Sequence, residues 1–316
     1  MGVAYLARRV FYGLISLLIL SAIIFVCTHL LPGDAASAIL GEAATPEALA
    51  TLRARLGLDQ PVLLQFAHWL GGMVTGDFGV SATLNQPAGA IIAGRFFNSL
   101  ALALGTIIVA AALAIPLGVV AAVKRGSRLD GAILTASYVG ISIPDFIIAP
   151  VLIILLAMPP LNLFPSSGFV ALGISPGDWL AHTILPVIAL TFVLTAHLLR
   201  QTRSGMLDVL ASDYIRTARL KGLPESLVLW RHGLRNGLTT TITVLALDIG
   251  YLMGSIVIVE EIFAYPGLGR LIVYAVANRD IPLVQGTALV IGAVYVAANI
   301  LADFAHALLN PRLAQQ

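Results

Sequence analysis

The sequence predicts an all-α protein that crosses a membrane six times with both chain ends in the cytoplasm. Three observations carry this. Of the 316 residues, 59% are hydrophobic and only 11% are charged, whereas a soluble chain keeps about a quarter of its residues charged to cover its surface. Six apolar stretches reach the roughly 20 residues a helix needs to cross a bilayer. Basic residues also gather in alternate connections between those stretches. Lipid offers no hydrogen bonds to a backbone, so each stretch is read as a helix.

The predicted spans are Val10–Leu31, Leu100–Val123, Ala132–Met158, Trp179–Leu199, Leu238–Ile262 and Leu283–Leu309. The first follows Arg8 and Arg9, as a secretory leader would. It is longer than a leader's apolar core, however, and Leu31-Pro32-Gly33-Asp34 is not a small-x-small cleavage site, so it reads as a retained span. With both ends inside, the cytoplasmic segments hold thirteen of the 18 lysines and arginines. The inverted orientation would break the positive-inside rule at almost every loop.

Composition also excludes several function classes. A net charge of +2, with no basic run among aromatics, gives nucleic acid nothing to bind. The single cysteine, Cys27, rules out a disulfide or thiolate metal site within one chain and reads as a small buried hydrophobe. The chain divides into residues 1–31 (N-terminus and first span), 32–99 (an extracytoplasmic cap) and 100–316 (the core).

The cap opens a short helix at Thr45-Pro46-Glu47, which supplies a hydroxyl N-cap, proline at the first helical position and an acid in the first turn. Leu49, Leu52 and Leu56 then share a face until Gly57 ends the run. A second segment, Pro61–Val74, carries Trp69, a residue suited to the headgroup interface.

The cytoplasmic segment 200–237 is basic and polar. Tyr214, Ala218 and Leu220–Lys221 fall on neighbouring helical turns; Gly222 permits a left-handed cap, and Pro224 starts a second short helix, Pro224–Arg235. A helix-turn-helix hairpin is expected. Binding to anionic lipid explains the charge equally well, but not the Ala-x-x-x-Gly-x-Pro order.

Tyr214-Ile215-Arg216-Thr217-Ala218-Arg219-Leu220-Lys221-Gly222-Leu223, followed by Leu234-Arg235-Asn236, resembles the "EAA" loop of ABC-importer permeases in its peptide-transporter form, with Arg-Thr-Ala in place of Glu-Ala-Ala. Further matches run along the chain in order: Leu31–Asp34, Arg55–Pro61, Gly76-Asp77-Phe78-Gly79, Phe263–Arg270 and Asn310-Pro311-Arg312. The long segment after the first span is similar to the "B" permease of the dipeptide/oligopeptide family. The resemblance implies a type I ABC importer transmembrane domain in a bacterial inner membrane, with an ATPase-coupling role for Tyr214, Arg216, Ala218, Arg219, Lys221 and Gly222. It further implies a second permease subunit, two cytoplasmic ATP-binding subunits that hold ATP and Mg, and an extracytoplasmic solute-binding protein. Ala218 is then expected against the ATPase surface. The same family resemblance covers importers of nickel chelates, opines, glutathione and sugars.

The sequence contains no Gly-x-x-x-x-Gly-Lys-Ser/Thr phosphate loop, no Gly-x-Ser-x-Gly elbow and no His-Glu-x-x-His helix, so no catalytic or metal residues are assigned and no cofactor is expected in this chain. Two carboxylates, Asp145 and Asp248, fall near the middles of the third and fifth spans. A mid-membrane carboxylate costs about 2.5–3.5 kcal/mol on insertion scales, so each faces protein or a wet path. The readings stay open: they line the translocation path and favour an amino-bearing solute, or they bond to a neighbouring helix or the partner subunit, or they are protonated. Gly250 and Gly254 mark a face for close helix packing, and Pro116, Pro144, Pro150 and Pro186 are expected to kink their helices. The rival readings are a proton- or ion-coupled secondary transporter using the two aspartates and a structural subunit of a larger membrane complex.

Overall fold

The computed structural model describes residues 3–30, 45–55 and 57–309, and these are almost wholly helical. The matches Leu31–Asp34 and Asn310–Arg312, the first part of the cap, and Leu56 lie outside the described residues. The helices are α1 (Val3–His29), α2 (Pro46–Arg55), α3 (Val62–Thr75), α4 (Ala88–Val123), α5 (Arg128–Ser142), α6 (Asp145–Leu152), α7 (Pro176–Leu210), α8 (Asp213–Leu220), α9 (Arg235–Ile262), α10 (Leu268–Ala277) and α11 (Ile281–Leu309). Four are long and apolar enough to cross a membrane singly, and two bent pairs bring the spans to six.

One bent pair corrects the sequence reading. Ala132–Met158 is not one kinked helix: α5 stops at Ser142, α6 starts at Asp145, and the axes differ by 99°. Pro144 is the cause. It has no N–H to continue the helix and forces the residue before it out of the helical region. Ile143 is accordingly extended, at φ −99° and ψ 117°, and Pro144 becomes the N-cap of α6. Asp145 is therefore the first residue of a new helix rather than the middle of an old one. Pro116, Pro150 and Pro186 do lie inside helices, as expected.

The chain forms two compact units. One comprises Val10–Ser99 and Pro266–Val296. Thr45 Oγ1 accepts from Ala48 N at 3.2 Å, so α2 is capped as its sequence indicates. Gly57 takes φ +68° just past its end. Trp69 does not stand free at an interface; it packs on Phe25 of α1 and Phe66 of α3, with ring centroids 5.6 and 6.0 Å away. The Gly76–Gly79 motif becomes a tight turn: Gly76 and Gly79 both have positive φ, and Asp77 Oδ1 accepts from Gly79 N at 2.9 Å. Here only glycine avoids the left-handed penalty. The turn delivers Phe78 to a core of Ala88, Ile92, Leu268, Leu271 and Leu283.

Asp280, fully buried, fastens this unit. Its Oδ2 accepts from Ser81 Oγ at 2.6 Å, Thr83 Oγ1 at 2.7 Å and Thr83 N at 3.0 Å, while Oδ1 accepts from Leu283 N at 3.3 Å. Burial pushes the carboxyl up, but the Ser81 and Thr83 hydroxyls and the two backbone N–H groups outweigh it and hold it below the usual value. Stability from this group is thus fully present above the ordinary aspartate value of about 3.9 and is lost as pH falls through the lower native value. We expect Asp280→Ala to cost about 2–3 kcal/mol, because two buried hydroxyls lose a charged acceptor. Thermal unfolding of the purified chain checks it, and the gap between wild type and variant should close only in acid.

The second unit holds Leu100–Tyr265 with the outer ends of the chain. Its core packs Ile148 and Ala149 of α6 against Leu185, Ala189 and Leu190 of α7 and Leu252, Ile256 and Val259 of α9. Glycines set the closest approaches. A Cβ on Gly205 (α7) would fall on the carbonyl oxygen of Gly237 (α9), and one on Gly118 (α4) would lie 2.6 Å from Thr202 Cβ. Gly254 is exposed in this chain, and a Cβ there would meet nothing within 4 Å. At the cytoplasmic end, Ser127 caps α5 by accepting from Asp130 N at 3.2 Å. Asp130 in turn receives both Nε and Nη2 of Arg203, at 2.7 and 2.8 Å. This bidentate pair ties the α4–α5 loop to α7.

Candidate coupling hairpin and intramembrane carboxylates

The predicted cytoplasmic hairpin is present, with one correction. Its first helix is α8, but the second arm is not a separate short helix ending at Arg235. The turn Glu225–Leu227 and a π-helical stretch, Val228–Leu234, run directly into α9. Similarly, α7 continues to Leu210, well past the predicted end at Leu199. Both arms of the hairpin are therefore helical extensions of membrane spans, joined through α8.

The turn follows from its residues. Gly222 takes φ +76°, and its N–H donates to Arg219 O at 3.0 Å, while Pro224 is extended and starts the next turn. Around it, Arg219 grips Glu225 through two bonds, Nε to Oε2 at 3.1 Å and Nη2 to Oε1 at 2.6 Å. Tyr214 OH receives Asn236 Nδ2 at 2.8 Å and donates to His232 O at 3.3 Å, pinning α8 to the second arm. Arg219 and Tyr214 thus shape the hairpin, and Arg216, Lys221 and Gly222 lie exposed on it.

Ala218 departs from expectation. It does not face outward: with 8% exposure it packs with Ile215 and Val228, backed by Val209, Leu210 and Leu223. The small side chain is needed inside the hairpin. What the hairpin offers outward is Leu220, 81% exposed at the tip, and Trp230, 63% exposed on the second arm.

The two intramembrane carboxylates are brought into one polar cluster in the second unit. Asp145 Oδ2 accepts from Ser255 Oγ and from Tyr251 OH, the latter at 3.2 Å. Asp248 Oδ1 lies 3.4 Å from His197 Nδ1, and the His197 and Tyr251 rings stack with centroids 6.3 Å apart. Sequence reasoning missed His197, Tyr251 and Ser255. The signal for two of them was present: Asp248, Tyr251 and Ser255 recur at i, i+3 and i+7, one face of α9. His197, on another helix, had none.

Comparison with known proteins now settles the family. The model for "Binding-protein-dependent transport system inner membrane component" matches residues 114–315, and its N-terminal companion matches residues 2–114. This chain belongs to that family. It is a multi-pass inner-membrane permease, which decides against the ion-coupled carrier. A putative peptide transport system permease protein of Brucella melitensis is 41% identical over 99% of both chains. A probable peptide ABC transporter permease protein of Sinorhizobium fredii is 35% identical, again over 99% of each. A glutathione transport system permease protein of Salmonella choleraesuis is 36% identical over 98% of each. Among solved structures, an amino acid ABC transporter chain aligns over 71% of this permease and 94% of its own length at 15% identity, with a TM-score of 0.46, too loose a match to carry an argument.

Proposed function

We propose that this permease forms half of the path of a peptide importer, together with a second permease subunit, two cytoplasmic ATP-binding subunits and an extracytoplasmic solute-binding protein. ATP and Mg belong to the ATP-binding subunits. The observation that carries the reading is the hairpin: a braced α8 turn, closed by Arg219–Glu225 and Tyr214–Asn236, that presents an apolar tip on a polar cytoplasmic surface. An exposed leucine and tryptophan on such a surface are what a partner protein covers. Because both arms are continuous with α7 and α9, a displacement of the ATPases would reach the membrane helices directly. The peptide substrate is supported by what the relatives' names say of them, and Asp145 and Asp248 are the residues on which a path role rests.

The test separates contact from folding. Leu220→Asp changes only the exposed tip, so the hairpin keeps its internal bonds. We expect the assembled variant to lose at least tenfold in ATP-driven peptide uptake and to bind the ATPases weakly, with unchanged membrane level. Uptake and ATPase recovery at wild-type values would remove the hairpin from the coupling path. The permease purified alone should hydrolyse no ATP.

A further inference from the structure

The carboxylate cluster holds more acceptors than this chain satisfies. Asp145 and Asp248 are 6% and 9% exposed, yet Asp145 Oδ1 and Asp248 Oδ2 are both buried without a hydrogen-bond partner. Neither carboxylate has a lysine or arginine partner among the described residues. The arginines next along α7 are engaged elsewhere, Arg200 over the Tyr138 ring at 5.7 Å and Arg203 on Asp130. Among the described residues, the nitrogen group in contact with the pair is the imidazole of His197, and it addresses Asp248 alone, Nδ1 to Oδ1 at 3.4 Å. Buried carboxylates left with free lone pairs in a membrane are costly, and they persist where a cation is to be received.

The cluster is also open on one side. Tyr251, whose hydroxyl bonds Asp145, is 50% exposed; Leu247, one turn before it on α9, and Phe146, next to Asp145 in the chain, are 67% and 53% exposed. On the same side Gly254 presents bare backbone. An aromatic ring with carboxylates behind it and apolar side chains around it is the arrangement that takes an organic ammonium group: charge behind, ring face beside, hydrocarbon at the rim.

We propose that Asp145, Asp248 and Tyr251 form an intramembrane site for the primary ammonium group of the transported solute, with the Tyr251 hydroxyl as its gate. The inference rests on the peptide-import reading and narrows it to solutes with a free amino terminus. The Tyr251 hydroxyl holds Asp145 in the empty site. When the solute arrives it swings aside, and the ammonium donates to Asp145 while Asp248 supplies the second negative charge. An ammonium has three donors, enough to fill the oxygens that Tyr251 and Ser255 leave open. Acylated amino termini and sugars lack the charge and leave both carboxylates uncompensated.

The assembled importer with its own binding protein, reconstituted in liposomes, tests this with trialanine as the probe. Asn keeps the size of Asp and one acceptor but loses the charge; Glu keeps the charge and alters the reach. We expect Asp145→Asn and Asp248→Asn each to lower trialanine uptake at least fivefold, with complex recovery unchanged. Asp248→Glu should retain more uptake than Asp248→Asn, and Tyr251→Phe should weaken gating, raising uptake of N-acetyltrialanine relative to trialanine. Two results would overturn the site: Asn variants that import as well as wild type, or Asn variants that match or exceed Glu. Asn variants that fail to assemble would show the carboxylates to be structural and overturn it as well. If wild type takes up no trialanine, the peptide reading itself has failed and takes this inference with it, an outcome visible before any variant is made.

Discussion

Gly205→Ala is expected to lower the stability and membrane level of the permease, although it adds only one methyl group. The new Cβ would clash with the Gly237 carbonyl oxygen, and a backbone atom in a packed helix cannot step aside as a side-chain end can. Helices α7 and α9 would have to part, breaking the buried Thr202–Thr241 hydroxyl bond of 3.0 Å and loosening the packing of Met206 against Gly237. Overpacking of this kind costs about 1–3 kcal/mol, sometimes more. Alanine's helix propensity returns only about 1 kcal/mol. Gly237→Ala should be milder, since its Cβ meets first the flexible Met206 sulfur at 2.7 Å. Gly254→Ala, which meets nothing within 4 Å, serves as the control and should leave the isolated chain as stable as before or slightly more so. Membrane level and thermal unfolding in detergent measure all three. Equal stability of the Gly205 and Gly254 variants would contradict the close α7–α9 contact.

The second large effect lies in the hairpin. Ala218→Glu would place a carboxylate in the hydrophobic cluster of Ile215, Val228 and Leu223. Burying an unpaired charge costs several kcal/mol, so the hairpin opens rather than accept it. We expect the membrane spans to survive, the segment 213–228 to become readily cleaved by protease, and uptake to vanish. The contrast with Leu220→Asp is the informative part: both variants should fail to transport, but only Ala218→Glu should alter the cleavage pattern. Identical patterns would mean that Ala218 does not belong to the hairpin's core. Ala218→Ser, small and able to bond locally, should keep substantial function.

How far the sequence was legible depended on whether the deciding contact was local. Thr45, Gly57 and Gly222 act on their own turns, and each caps or turns the chain where its sequence indicates. Pro144 was legible only in part. A proline in an apolar run reads as a kink, and the extended backbone at Ile143 that makes it a corner depends on what the following half-helix packs against. Glycine spacing is silent for a related reason: separation does not say which face meets a neighbour, and within the chain the close approaches fall to Gly118, Gly205 and Gly237. Ala218 was assigned outward from its place in a known motif, whereas it is claimed by a cluster that draws Val209 and Leu210 from α7 and Val228 from the second arm as well as its neighbours Ile215 and Leu223. The pairs Asp130–Arg203 and His197–Asp248 join residues 73 and 51 positions apart, a separation that no local pattern encodes.

The corner at Ile143–Pro144 has a mechanical consequence. Helices α7 and α9 touch backbone to backbone at Gly205 and Gly237, and α6 is wedged against both by Ile148 and Ala149. Those three behave as one stiff block, with the hairpin as its handle. Helix α5 is fixed to the same block at its far end by Asp130 and Arg203. Between the two anchorages the chain turns through 99° on a residue that can donate no hydrogen bond. The whole change of direction between α5 and α6 is therefore made at a joint two residues long, and the first side chain beyond that joint is the carboxyl group of Asp145.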